Sequence, residues 1–283
     1  MPPDSLLLDS LPPDPLLRHL QACNNTALPG GRLPLWLGVA RIGWVTPAVA
    51  GLLLRLGGIA AADGISFHDA GALAATAAPL AEAGHCRLRD EAFDLRETPE
   101  GPVLGVLDRG AVPCLGVLAQ GVHLNGLLRR ADGLHVWMGR RAADKAVAPG
   151  KLDNLVAGGL SAGLTPEQCL VKEAGEEAAM PPALAAQARP VSRLGYVMAA
   201  PEGLRRDVLH VFDLELPETF LPVPDGEEVA HFELWPATAL LSALRTGDTV
   251  KFNVALVLID LFLREALVED PDGCLRAGLD RFA

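Results

Sequence analysis

Apolar positions recur along the chain at two periods, and the changes of period mark its elements. Leu33–Val45 (LPLWLGVARIGWV) reads as strands, rich in Leu, Val, Ile and Trp with Gly at the turns. Thr46-Pro47 then opens a helix, with Thr as its cap and Pro in its first position. That helix runs to about Leu56 and stops at Gly57-Gly58. Asp69–Ala83 reads as a second, Ala-rich helix, and Asp94 to about Ala119 as short strands broken by Gly and Pro. A short helical pattern near Leu16–Leu20 interrupts an otherwise Pro-rich, polar beginning. After Gly121 the alternation is clearer. Val122–Arg129 and Leu134–Gly139 read as a hairpin turning at Ala131-Asp132-Gly133. Leu152–Ala157 is a short strand, Gly158–Leu164 a glycine-containing loop, and Pro166–Ala178 a helix stopped by Pro181-Pro182. Pro182–Gln187 opens a short second helix. Strands follow at Ser192–Ala199, Asp207–Leu216 and Glu228–Trp235, then helices at Pro236–Arg245 and Phe252–Val268, and a tail from Asp270.

The change in pattern near Gly121 divides the 283 residues into an α+β module over 1–120 and a larger unit over 121–283. With 50% hydrophobic and 21% charged residues there is ample material for a core. The net charge of −11 disfavours general nucleic-acid or anionic-membrane binding. The acidic N-terminus lacks the basic region of a secretory signal. Neither apolar run, 42–54 with Pro47 or 252–268 with Asp260, Arg264 and Glu265, makes a span. Five widely spaced cysteines without a CxxC pair argue against a disulfide framework and a thiolate zinc site. The expected setting is the cytoplasm. The oligomeric state, a homodimer included, stays open.

The chemistry concentrates in one helix. Thr165, Pro166 and Gln168 form a capping box at its start. That start places Glu173, Glu176 and Glu177, at i, i+3 and i+4, on one face. Carboxylates so spaced repel each other by a few tenths of a kcal/mol per pair. A solvated face tolerates this, whereas an inward face calls for a divalent cation. Mg²⁺ takes such hard oxygen ligands and keeps positions for phosphate. Upstream, Gly158-Gly159 would let backbone approach a ligand. A basic stretch, Arg140, Arg141, Lys145 and Lys151, could hold residual phosphate charge.

The segment Gly158–Met180, GGLSAGLTPEQCLVKEAGEEAAM, resembles the Nudix box, G-x5-E-x7-R-E-U-x-E-E-x-G-U with U apolar. Gly158, Glu173, Ala174, Glu176, Glu177 and Met180 match in register. Leu164 stands at the first Glu, Lys172 at the Arg and Ala179 at the last Gly. Lys172 keeps the charge but loses the bidentate fork. The flanks VWMGRRAADKAVAPGKLDNLVAGG, EGLRRDVLHVFDLELP and FNVALVLIDLFLRE resemble one branch in particular. It is the branch of the Nudix domain fused to thiamine pyrophosphokinase in fungi, where a separate module precedes the Nudix domain.

The resemblance implies an α/β/α sandwich around a mixed sheet, preceded by the smaller α+β domain. It implies Mg²⁺- or Mn²⁺-dependent hydrolysis of a small-molecule diphosphate, thiamine diphosphate or its oxidised analogues, to the monophosphate. Glu173, Glu176 and Glu177 would hold the metal, and Glu177 is the first choice of base with Glu228 behind it. Arg141, Lys145, Arg205, Gly158 and Gly159 would meet the substrate. Trp137 and Trp235 could stack on a heterocycle but read better as buried strand aromatics. A nucleoside diphosphate derivative of the ADP-ribose or NADH type is the alternative substrate. A non-catalytic binding module is the alternative role.

Overall fold

The computed structural model describes residues 14–280; the first residues of the Pro-rich beginning and the last three of the tail lie outside them. The N-terminal part opens with α1 (Leu17–Cys23) and then builds a small sheet. Its strands are β1 (Leu33–Leu37), β2 (Ala40–Val45), β3 (Ile59–Ala60) and β4 (Ile65–Phe67), in the order β2-β1-β4-β3. Helix α2 (Pro47–Arg55) is capped as its sequence demands, the Thr46 side chain accepting from the Val49 N–H at 3.3 Å. The expected Ala-rich helix is two, α3 (Ala70–Ala74) and α4 (Ala77–Glu82). Between them the Thr76 hydroxyl donates to the Leu73 carbonyl at 2.7 Å, the local competition that breaks helices at such residues. The expected run of strands holds one hairpin, β5 (Ala92–Leu95) with β6 (Gly105–Asp108). It then turns helical at Arg109–Ala111 and α5 (Val112–Leu115), started by the Asp108 side chain and ended by Gly116 at φ +57°.

The larger part is a seven-stranded mixed sheet. Its strands are β7 (Leu118–Arg130), β8 (Gly133–Arg141), β9 (Leu152–Asn154), β10 (Val156–Gly159), β11 (Arg189–Ala200), β12 (Gly203–Glu215) and β13 (Val229–Pro236). The main path runs β11-β12-β7-β8-β13, with β10 on β7 and β9 on β8. Only β12 and β7 run parallel among these neighbours. Gly158 and Gly159, expected in a loop, end strand β10 opposite Val122 and Gly121.

Alternation along the strands sends side chains to two cores. Val122, Leu124, Phe212 and Leu214 pack with α6 (Pro166–Ala178) and α7 (Pro182–Ala185). Leu127, Val136, Met138, Leu209 and Val211 face the other way, onto α8 (Ala237–Thr246) and α9 (Phe252–Arg264). The expected tail folds back as α10 (Cys274–Leu279). Leu16, Leu20 and Cys23 join this second core, so α1 packs with the C-terminal helices rather than with the small sheet that follows it. The result is helices on both faces of a mixed sheet, as the resemblance implied, and the α+β layers of 33–115 have their own core. Among the described residues no helix is long and apolar enough to cross a membrane.

Candidate functional site

Helix α6 begins with the capping box complete, Gln168 N–H donating to Thr165 Oγ1 and Thr165 N–H to Gln168 Oε1. It ends at Ala179, which takes the left-handed conformation at φ +49° where the Nudix pattern has glycine. The three glutamates therefore lie where the spacing put them, but their environments differ. Glu177 is 8% exposed and accepts from the Ala157 N–H at 3.0 Å. Burial pushes its carboxyl well above the usual range; the Ala157 bond works against this, and Asp153, Glu173 and Glu228 add like charge. Glu173 lies against Gly158, where a Cβ would stand 2.4 Å from its carboxyl carbon, so the strand end must be glycine for this carboxylate to reach it. Burial pushes the Glu173 carboxyl up more than Lys172 pulls it down, and Glu176 and Glu91 push the same way. Glu176 is the exposed member. Lys172 Nζ bridges Glu173 at 2.9 Å and Glu176 at 2.7 Å.

Among the described residues no three His, Cys, Asp or Glu side chains converge as a metal site. Lys172 holds Glu173 and Glu176, and Glu177 is turned onto the β10 backbone. The donor chemistry nonetheless suits a divalent cation: hard carboxylate oxygens, partly desolvated, repelling each other with one ammonium between them. A cation there would displace Lys172 and relieve the like charge on Glu177.

The basic residues divide. Lys145 lies beside the site, paired with Glu228 at 2.8 Å, and Glu228 in turn adds charge to Glu177. Arg141 is committed to Asp153 at 2.8 Å and to the Val147 carbonyl at 3.1 Å, with 13% of its side chain exposed. It braces the site floor rather than offering itself to a ligand. Arg205 is on the wrong face: it pairs with Glu202 and lies 5.5 Å over the Phe252 ring at the start of α9, on the side of the sheet away from α6. Trp137 packs in the α6 core and Trp235 in the α9 core, as strand aromatics.

Several residues were not foreseen. Asp153, 5% exposed, takes Arg141 and Lys251, each at 2.8 Å. Burial opposes its charge, but Lys251, His123 and Arg141 together hold it below the usual carboxylate range. A carboxylate inside the apolar run 152–157 was the signal for it. Opposite Ala157 in the sheet stands His123, 4% exposed, whose Nδ1 bonds the Asn154 Oδ1 at 2.9 Å. Asn154 donates to Asn125 at 2.9 Å and Asn125 to Asp213 at 2.8 Å. Burial, aided by Lys251, pushes His123 down to about 4, so the ring is neutral at pH 7. The N-terminal part also reaches the site. The Ala162 N–H donates to the Ala92 carbonyl at 2.7 Å, and the Ser161 hydroxyl to Glu91 at 2.8 Å.

A mixed sheet clasped by helices thus carries a glutamate face set against a diglycine strand end. Residues 121–254 match the family model described as NUDIX domain. It is 37% identical over 181 residues to Nudix hydrolase 20, chloroplastic, of Arabidopsis thaliana, covering 64% of this chain and 48% of that protein. To Nudix hydrolase 24, chloroplastic, of the same plant it is 35% identical over 181 residues, covering 64% and 50%. The chain thus spans about half the length of the curated relatives it matches. A crystal structure of a protein from Deinococcus radiodurans aligns with a TM-score of 0.45 and 22% identity, covering 59% of this chain and 97% of that one.

Proposed function

We propose that the protein is a divalent-metal-dependent hydrolase of a diphosphate linkage in a small molecule, and that the molecule is thiamine diphosphate or an oxidised analogue, cleaved to the monophosphate. The observation that carries the hydrolase reading is the glutamate face: on one side of α6, Glu177 is buried and bonded to the Ala157 N–H of β10, and Glu173 lies against the Gly158 strand end beside it. The similarity to two plant Nudix hydrolases supports it. The thiamine compounds rest on the flanking segments that resemble the thiamine-linked branch.

Glu173, Glu176 and Glu177 would hold Mg²⁺ or Mn²⁺, which when bound polarises phosphoryl oxygens and offsets the charge that builds there. The chain's own groups do the rest. Gly158 gives the Glu173 carboxylate its place, and Ala157 N–H orients Glu177. Glu177 was the first choice of base, but it is buried and bonded, so the proposal gives the proton of the attacking water to Glu228, half exposed beside Lys145. Lys145 is the cation that can turn from Glu228 to phosphate.

A second reading, a Nudix fold kept as a binding module, draws on Lys172, which itself pairs with Glu173 and Glu176. The two readings part on a substrate panel with Mg²⁺: thiamine diphosphate, oxythiamine diphosphate, ADP-ribose and NADH. Phosphate release from the thiamine compounds supports the proposal. AMP from the nucleotides alone would replace the substrate. Tight binding without turnover at any metal concentration would favour the module.

A further inference from the structure

Just before α9 the chain joins the sheet for three residues. Leu152 N–H donates to the Thr249 carbonyl and Lys251 N–H to the Leu152 carbonyl, each at 2.9 Å, so residues 249–251 run beside β9. Leu152 and Val250 pair there, and both lie in the core under α9. Successive side chains of extended backbone point to opposite faces. Asp153 and Lys251 therefore point to the other face, the one that α6 covers. Gly139, the partner of Asp153 in β8, agrees with this. It stands two residues from Trp137 and opposite Phe232, and both aromatics pack against the α6 core. The Glu177 carboxylate is on this face too, bonded to the N–H of Ala157. The Cα atoms of residues 153 and 157 can be no more than about 14 Å apart, and the charge of Asp153 is felt at Glu177.

Asp153 holds more cation than it needs. Arg141 Nη1 and Lys251 Nζ both meet its Oδ2, each at 2.8 Å, while its Oδ1 takes the Asn154 N–H at 3.0 Å. Two cations on one carboxylate leave one positive charge in excess, where each cation's side chain is only 13% exposed. A buried charge without a counter-charge is costly. The two cations are not held alike. Arg141 is fixed a second time, by the Val147 carbonyl at 3.1 Å. For the Lys251 ammonium, Asp153 is the one hydrogen-bonding partner among the described residues, and it uses one of three donors. Nor does α9 account for a lysine here. Lys251 is the N-cap residue, its side chain caps nothing, and a cation in that position opposes the helix dipole. Lys145 borders the same place. Ala142, next to Arg141, donates its N–H to the Glu228 carbonyl at 3.1 Å, and the Glu228 carboxylate holds Lys145.

We propose that Lys251 is a substrate-binding residue of the glutamate-helix site, its ammonium leaving Asp153 to Arg141 and taking a phosphoryl oxygen of the bound diphosphate. The inference rests on the diphosphate-hydrolase reading. Lys251 is a compact charge on a flexible stem, so the exchange needs only rotation of that stem. Asp153 has two parts to play. It keeps the ammonium on the α6 face before substrate arrives, and it stays balanced by Arg141 when Lys251 leaves. The excess positive charge then finds its counter-charge in the diphosphate.

The test uses the full chain. Lys251→Met, Lys251→Arg and the double variant Lys251→Met with Asp153→Asn are compared with the unaltered protein. Titration calorimetry reads the affinity for inorganic pyrophosphate in Mg²⁺, and KM and kcat are measured on the best substrate of the panel above. Thermal melting checks that each variant is folded. The expected result is that Lys251→Met weakens pyrophosphate binding and raises KM at least tenfold with kcat changed less, and that Lys251→Arg recovers part of the loss. The double variant removes the carboxylate together with its cation and is expected to stay as weak as Lys251→Met. If Lys251 served only to balance Asp153, the double variant would bind pyrophosphate as the unaltered protein does, and that outcome overturns the inference. So do unchanged affinity and KM in folded Lys251→Met while the unaltered protein is active, and this leaves the hydrolase reading standing. Should Lys251→Met fail to fold, the double variant, with no carboxylate to balance, decides in its place. An unaltered protein that neither cleaves any diphosphate nor binds pyrophosphate overturns both.

Discussion

At the scale of single residues, the site is governed by which charges are buried and which are paired. His123 shows the consequence for stability. Its pKa in the folded chain lies at about 4, below the ordinary 6.5, because burial and Lys251 oppose the imidazolium. Between those values the unfolded chain binds a proton that the folded chain refuses. This share of stability is therefore complete above pH 6.5 and is lost as pH falls towards 4, amounting to about 3 kcal/mol at most. Denaturant titrations of the unaltered protein and of His123→Gln between pH 7 and 4 read it directly. The slope against pH is expected to be shallower in the variant, and equal slopes would remove His123 from the explanation. Glu228 supplies a kinetic counterpart. If it takes the proton from water, Glu228→Gln lowers kcat by about 10²–10⁴ with little change in KM. A loss seen only in KM would instead mark it as the partner that positions Lys145.

At the scale of elements, helix α6 and strand β10 act as one unit. Gly158→Ala drives a methyl group into the Glu173 carboxylate, but that carboxylate is the free end of a flexible side chain and can swing away. The fold is expected to survive with a small change in melting temperature, while the metal concentration for half-maximal activity rises severalfold. An unchanged metal dependence would mean that Glu173 takes no part. The sequence showed α6 to the residue, because Thr165, Pro166 and Gln168 satisfy the helix's free N–H groups by themselves. It showed the three glutamates for the same reason. It could not show that Gly158-Gly159 would be strand, since that depends on pairing with Val122 and Gly121 in another strand. The break at Thr76 was hidden by the helix propensity of the alanines around it. Arg205 was misplaced because alternation in β12 becomes informative only once it is known which helices cover which face. Asp153 stood out only as a carboxylate inside an apolar run, and its role escaped because its partners Arg141 and Lys251 lie in other parts of the chain.

At the scale of the whole molecule, the two parts are less separate than the change of pattern near Gly121 suggests. Leu16 and Leu20, 0% and 4% exposed, are packed in the core beneath α9. Each buried leucine is worth roughly 1.5–3 kcal/mol, set against a total of about 5–15 kcal/mol for an ordinary domain. A fragment of residues 121–283 thus loses several kcal/mol and also the β5 and β6 contacts to the Ser161 turn. It is expected to melt well below the full chain, and chains beginning before Leu16 but lacking residues 30–110 should regain part of the loss. A fragment as stable as the full protein would show that α1 is dispensable to that core.

The central claim is that the glutamate face of α6 supports metal-dependent cleavage of a diphosphate. Its most direct test is monophosphate release from thiamine diphosphate and oxythiamine diphosphate by the unaltered protein and by Glu177→Gln, with Mg²⁺ and with excess chelator. Release that needs Mg²⁺ and falls by at least a hundredfold in the variant is the predicted result. Release that continues in chelator, or that Glu177→Gln leaves unchanged, would contradict it.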